Sequence, residues 1–169
     1  MKFVFTGPES SGKTTLAEWA SKQFGIPLVQ EMSRIFFENR SNQYNKDDVR
    51  EIGLLQRWEE IYVAKNVNHI ICDTDILTVM IWQYEKYGLA DEFFVQEWEK
   101  PNVDLYFHCT PDLPWEYDPL RENEHDRDRL FAIYTSYLIQ FKKAFVVLSG
   151  TLAERQATIS STMQKKLNG

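Results

Sequence analysis

Residues 7–14 read Gly7-Pro8-Glu9-Ser10-Ser11-Gly12-Lys13-Thr14, with the apolar run Phe3-Val4-Phe5-Thr6 before them and a helix-forming stretch after them. The spacing is G-x-x-x-x-G-K-[ST]. A strand, a glycine-rich turn and a helix in that order form a cradle for phosphate. Gly7 and Gly12 let the backbone turn so that successive N–H groups face inward, and the positive end of the helix adds to the field. Lys13 is expected to reach the β- and γ-phosphates, and the Thr14 hydroxyl to ligate Mg²⁺. Ser10, Ser11 and Thr15 belong to the same nucleotide-binding run. Glu9 could point toward a phosphate acceptor or out to solvent.

Outward from this loop, strand and helix patterns alternate. Strands are predicted over 3–6, 26–29, 70–72, 103–109 and 144–148. Helices are predicted over 14–24, 32–39, 47–66, 76–87, 91–99, 130–143 and 151–166, with a polar break at 41–45. This alternation implies five parallel strands with helices on both faces, joined by right-handed crossovers. Ligands of such sheets sit beyond the carboxyl ends of the strands. Residues 110–128 hold three of the six prolines and read as a mobile excursion after strand four.

Composition narrows the class. The 169 residues carry 19 Lys and Arg against 25 Asp and Glu, a net charge of −6, which argues against a nucleic-acid surface. The longest uncharged stretch, 130–141, is too short and too polar to span a bilayer, and the start leaves no room for a signal peptide. Cys72 and Cys109 form neither a disulfide framework nor a metal pattern, so a reduced, cytoplasmic setting is expected. With 11 Phe, 8 Tyr and 5 Trp the chain can bury a substantial core as one domain over 1–169. Exposed tryptophans, if there are any, would mark an interface.

Acidic residues fall at the predicted strand ends. Ile70-Ile71-Cys72-Asp73 has the form of an apolar strand delivering a carboxylate to Mg²⁺. Asp75 could face the same cleft or cap the following helix. Glu31 ends strand two, with Arg34 one turn later. Either Glu31 or Asp73 could accept the proton of an incoming hydroxyl, and Arg34 and Asp75 could contact the acceptor. The string Asn45-Lys46-Asp47-Asp48 matches a guanine-reading N-K-x-D, but it precedes strand three, too early for a base reader. We read it as a polar turn opening a helix, so ATP is expected over GTP.

Arg121, Arg127 and Arg129 lie in or just after the proline-rich excursion. A lid carrying guanidinium groups suits phosphoryl transfer, which is mostly positioning and charge stabilisation. Gly150 ends strand five, where a backbone contact to a base is usual. Arg155, in the next helix, could stack on adenine or lie on the surface.

The run GPESSGKTTLA, the Glu31-x-x-Arg34 pair, Asp73-Thr74-Asp75, Trp115-x-x-Asp118-x-x-Arg121 and Ser149-Gly150 with Arg155 together resemble the ribosylnicotinamide kinase domain. That domain is the kinase part of the bacterial NAD-biosynthesis regulator, within a wider AAA-type P-loop ATPase family. The resemblance implies a P-loop NTPase fold of the nucleoside/nucleotide-kinase kind with a lid after strand four. It also implies Mg-ATP-dependent phosphorylation of the 5′-hydroxyl of a small nicotinamide riboside-like nucleoside, with ribosylnicotinamide first. Pro119 stands where the family often has glycine. The regulator's DNA-binding and nucleotidyltransferase modules are not in this sequence, so repression and adenylyl transfer are not carried over. Other readings of the residues are a kinase for another nucleoside or nucleotide, and an ATP-hydrolysing switch.

Overall fold

The computed structural model describes residues 1–38, 40 and 43–169. Five parallel strands, β1 (Lys2–Thr6), β2 (Leu28–Val29), β3 (Ile70–Asp73), β4 (Leu105–Cys109) and β5 (Phe145–Leu148), lie in the order β2-β3-β1-β4-β5. The helices are α1 (Lys13–Phe24), α2 (Met32–Phe37), α3 (Lys46–Ala64), α4 (Ile76–Tyr87), α5 (Glu92–Glu99), α6 (Arg127–Gln140) and α7 (Leu152–Asn168). The predicted α/β class and parallel sheet are therefore those observed.

The central strands are buried on both faces, and the period of two sorts their side chains. Phe3, Phe5, Ile71, Leu105 and Phe107 pack with Leu16, Ala17 and Ala20 of α1 and with Ile159 and Met163 of α7. Val4, Cys72 and Tyr106 face the other way, into a core with residues of α2 to α6. Both cysteines are free and buried. No described helix is long and apolar enough to cross a membrane.

Element ends differ from the sequence reading for local reasons. β2 starts at Leu28, because Pro27 has no N–H for the ladder and offers only its carbonyl, to Ile71 N at 2.9 Å. β4 starts at Leu105, since the Asp104 carboxylate turns back to accept from Lys2 N. α6 begins at Arg127, a turn earlier than its apolar pattern, and Lys142 beyond its end takes a positive φ. Asn39, Ser41 and Asn42, which the sequence reading placed in a helix end and a polar break, lie outside the described residues. Asn45 caps α3: its side chain accepts from Asp47 N and Asp48 N, and Asp48 accepts from Asn45 N in return. The N-K-x-D string is thus a capping box.

The carboxyl ends of the strands form one edge, where the 7–14 loop, Glu31, Asp73 and the segment after β4 converge. Two buried polar arrangements hold it. Trp98 Nε1 donates to Tyr106 Oη at 2.8 Å, and Tyr106 Oη donates to Asp75 at 2.6 Å. Asp75 also caps α4 by accepting from Leu77 N at 3.0 Å. On β4, His108 is fully buried, its ring stacked on Phe131 at 4.1 Å. Its Nε2 lies 2.9 Å from Thr135 Oγ1, whose proton goes to Phe131 O, so Nε2 is the donor of a neutral ring.

Burial pushes the His108 imidazole down to about 4 from 6.5. The folded value is depressed, so the stability it confers is present above pH 6.5 and is lost as pH falls toward 4, where the unfolded chain alone takes up the proton. Urea unfolding should show about 2 kcal/mol lost from this group between about pH 7 and pH 5. His108→Gln should remove that component of the slope while lowering stability at pH 7.

Candidate active site

Gly7 leaves β1 with φ of 133°, and a Cβ there would lie 2.6 Å from the Cys109 carbonyl oxygen. Only glycine lets the loop press against the end of β4. Gly12, at φ of 81°, then turns the chain into α1. The loop is braced from within: Ser11 Oγ donates to Pro8 O, and Lys13 Nζ donates to the same carbonyl, both at 2.7 Å. Ser11 is buried, and its carbonyl accepts from Arg155 Nη1 at 2.9 Å.

A cavity of about 320 Å³ opens beside this loop. Gly7, Glu9, Ser10, Gly12, Lys13, Thr14 and Thr15 line one end of it, and Glu31 and Arg34 line its side. Its far wall is aromatic: Phe37, Tyr44, Trp82 and Tyr134, with Thr78 and Ile81 between. Tyr44 meets the Trp82 ring edge-on at 4.9 Å, and its hydroxyl accepts from Trp82 Nε1 and donates to Glu122. Lys86 also holds Glu122, and that carboxylate raises the ammonium above its ordinary value.

Asp73 is buried beside Thr14, whose hydroxyl bonds its carboxylate. Burial, with the Glu31 charge added, pushes its carboxyl up to about 6. Its Oδ1 has no hydrogen-bond partner among the described residues. A bare buried carboxylate oxygen next to a hydroxyl is a donor set that suits a small, hard cation, so Thr14 and Asp73 fit Mg²⁺. Glu31 sits on the cavity side, accepting from Ser33 Oγ at 2.7 Å, with Arg34 Nε at 3.7 Å.

The segment after β4 closes over the loop. Glu9 turns inward to the lid: its carboxylate accepts from the backbone N–H of Glu122 and of Asn123. Arg121 donates to Ser10 Oγ at 2.9 Å and to Glu116 O, and it faces the cavity. Arg34 reaches across to Asp118 at 2.8 Å. The three arginines thus stand in different places. Arg127 donates to Leu113 O at 2.9 Å and to Ser10 O at 3.4 Å, and lies off the cavity wall. Arg129 does not line the cavity and pairs with Glu85, at the wall away from the phosphate loop, and with Asp126.

Asp75, Gly150 and Arg155 also stand apart from the cavity. Asp75 is a helix cap and an acceptor for Tyr106, as described above. Gly150 donates its N–H to Asp112 at 2.7 Å and gives its carbonyl to Arg155 Nε at 3.0 Å. The Arg155 side chain is only 1% exposed; it is bound to Asp112, Thr110 and Ser11, so its guanidinium clamps the phosphate loop to the β4 and β5 ends. The sequence reading missed Asp112, Glu122 and the aromatic wall. The wall residues come from four separate segments, and no spacing links them.

The architecture has known counterparts. The structure of NadR protein in complex with NR is similar with a TM-score of 0.77 at 19% identity, over 96% of this chain and 48% of that one. NadR protein in complex with NAD and AMP-PNP gives 0.73 at 20% identity, over 96% and 48%. Deoxyadenosine kinase from M. mycoides, with dCMP and a flexible dCDP bound as products, gives 0.65 at 18% identity, over 99% of each chain. The chain spans about half the length of the NadR chains it matches. No curated protein matches it. The likeness establishes the fold, and the family rests on a separate finding. The model of the AAA domain family matches residues 2–155, which take in the phosphate loop, Asp73, the lid and Arg155, and the chain belongs to that family.

Proposed function

We propose that the protein transfers the γ-phosphoryl group of Mg-ATP to the 5′-hydroxyl of a small nucleoside, with ribosylnicotinamide first among acceptors. One observation carries this reading. A single lidded cavity joins the phosphate loop and Arg121 at one end to a carboxylate, Glu31, and an aromatic chamber at the other. A slow ATP-hydrolysing switch has no use for such a chamber, whereas a kinase needs it to align an acceptor and exclude water.

The roles follow from position. Lys13 exchanges the Pro8 carbonyl for the β- and γ-phosphates. Thr14 and Asp73 would hold Mg²⁺, which when bound would neutralise charge on the phosphate oxygens. Glu31 rather than Asp73 is assigned as base, because it lines the cavity and Asp73 does not. It takes the hydroxyl proton as the acceptor oxygen bonds to the γ-phosphorus and the bond to the ADP oxygen breaks. Arg121 faces the site from the lid and stabilises the charge that develops.

The chamber also favours a cationic ring. Phe37, Tyr44, Trp82 and Tyr134 offer π faces, and Glu31, Glu85 and Glu122 offer negative charge. The solved NadR complex with NR supports the same acceptor, and the deoxyadenosine kinase likeness makes deoxynucleosides the second candidates.

A panel of nucleosides and nucleotides assayed for ADP release with Mg-ATP should show ribosylnicotinamide highest and ATP preferred over GTP. No acceptor above the ATP-only background would reject the kinase reading. Lys13→Ala should nearly abolish turnover with the circular dichroism spectrum unchanged, since it removes the cation at the transferred phosphate. Arg121→Ala should lower kcat about 10³-fold with little change in ATP affinity. Arg129→Ala, which breaks only exposed ion pairs, should cost less than about 1 kcal/mol. Equal effects at 121 and 129 would sink the assignment of the lid arginine.

A further inference from the structure

The inward side of α3 is built for the core: Val49, Ile52, Gly53, Gln56 and Glu60 are buried. Its outward side is not built for water. Leu54, Leu55, Trp58, Ile61 and Tyr62 are all exposed, Trp58 by 60% and Tyr62 by 54%. The Trp58 and Tyr62 rings stack on each other at 5.2 Å and 8°, forming a flat plate left exposed among the described residues. A contiguous apolar face of this kind marks an interaction surface.

The order of residues along this face says what fits it. Glu51, Leu55, Trp58, Tyr62 and Lys65 follow one another at spacings of four and three, the seam of a helix that packs against a second helix. Leu54 and Ile61 flank the seam. The pattern is symmetric about Trp58. Glu51 and Lys65 each lie seven residues away, about 10 Å along the axis. Leu54 matches Tyr62, and Leu55 matches Ile61. Both charged ends are exposed, and neither has an ion-pair partner among the described residues.

We propose that α3 is a dimerisation helix, on which two copies of this chain pack antiparallel about a two-fold axis beside Trp58. In that arrangement Glu51 of each copy meets Lys65 of the other at both ends. The aliphatic and aromatic residues close over each other in the middle. Parallel packing would set Glu51 against Glu51 and Lys65 against Lys65, which charge repulsion disfavours. The interface is isologous, as a two-fold dimer requires, with an aromatic centre and polar ends. The face lies on the helix opposite the core and does not depend on the proposed activity.

Sedimentation velocity of the whole chain over increasing concentration tests this. The expected result is a species of twice the chain mass. Trp58→Glu should leave only monomer at the same concentrations, with far-UV circular dichroism unchanged. Glu51→Lys or Lys65→Glu alone should weaken the dimer roughly tenfold, and the double charge reversal should restore it. A wild-type chain that stays monomeric would overturn the proposal and leave the face to a different protein. A dimer that survives Trp58→Glu, or a double reversal that does not rescue association, would overturn it equally. The charge-reversal series decides the matter even if the tryptophan variant fails to fold.

Discussion

The close approach of Gly7 to the Cys109 carbonyl is the contact on which the rest of this structure depends. It sets the phosphate loop against the middle of the sheet, between β3 and β4, and fixes where every other group must arrive. Arg155 secures the same loop from behind, holding the Ser11 carbonyl while its charge is met by Asp112. A buried guanidinium is costly unless its donors are satisfied, and here they are shared among the loop, the β4 end and the β5 end. The backbone donors that face a phosphate are therefore held by the interior of the protein before any ligand arrives.

The lid depends on the loop in turn. Glu9 accepts two lid N–H groups, and Ser10 accepts from Arg121 and Arg127. These contacts are polar and exposed or partly exposed. Few apolar groups support the segment 110–126, so its position is controlled by charge near the loop more than by packing. The lid and the phosphate loop thereby share the same three residues, Glu9, Ser10 and Arg121.

What could be read in the sequence was whatever physics is local. The phosphate loop is a turn geometry encoded in eight consecutive residues, and the alternation of strands and helices is a matter of period. The two readings of Asp75, cleft or cap, could not be separated from its neighbours alone. Tyr106, 31 residues away, decides between them by donating to it across the sheet. Arg155 was ambiguous for the same reason: its partners Thr110 and Asp112 follow a different strand. The aromatic wall was invisible because Phe37, Tyr44, Trp82 and Tyr134 meet only after the strands have taken an order that their sequence order does not reveal. The three lid arginines look alike as text and differ only in what faces them.

Thr78, Ile81, Trp82 and Glu85 fall at successive turns of α4 and form one stripe of the cavity wall, while the cap of that helix is tied to the buried Asp75–Tyr106–Trp98 chain. Asp75 turns to Tyr106, which does not line the cavity, so Ile81, Trp82 and Glu85 can be rewritten without breaking that anchor. The phosphate chemistry sits on different elements altogether. For the kinase proposed above, acceptor choice and phosphoryl transfer would thus be separable heritable traits, and a lineage could drift from one acceptor to another through a few changes on α4 while the phosphate loop stays under selection.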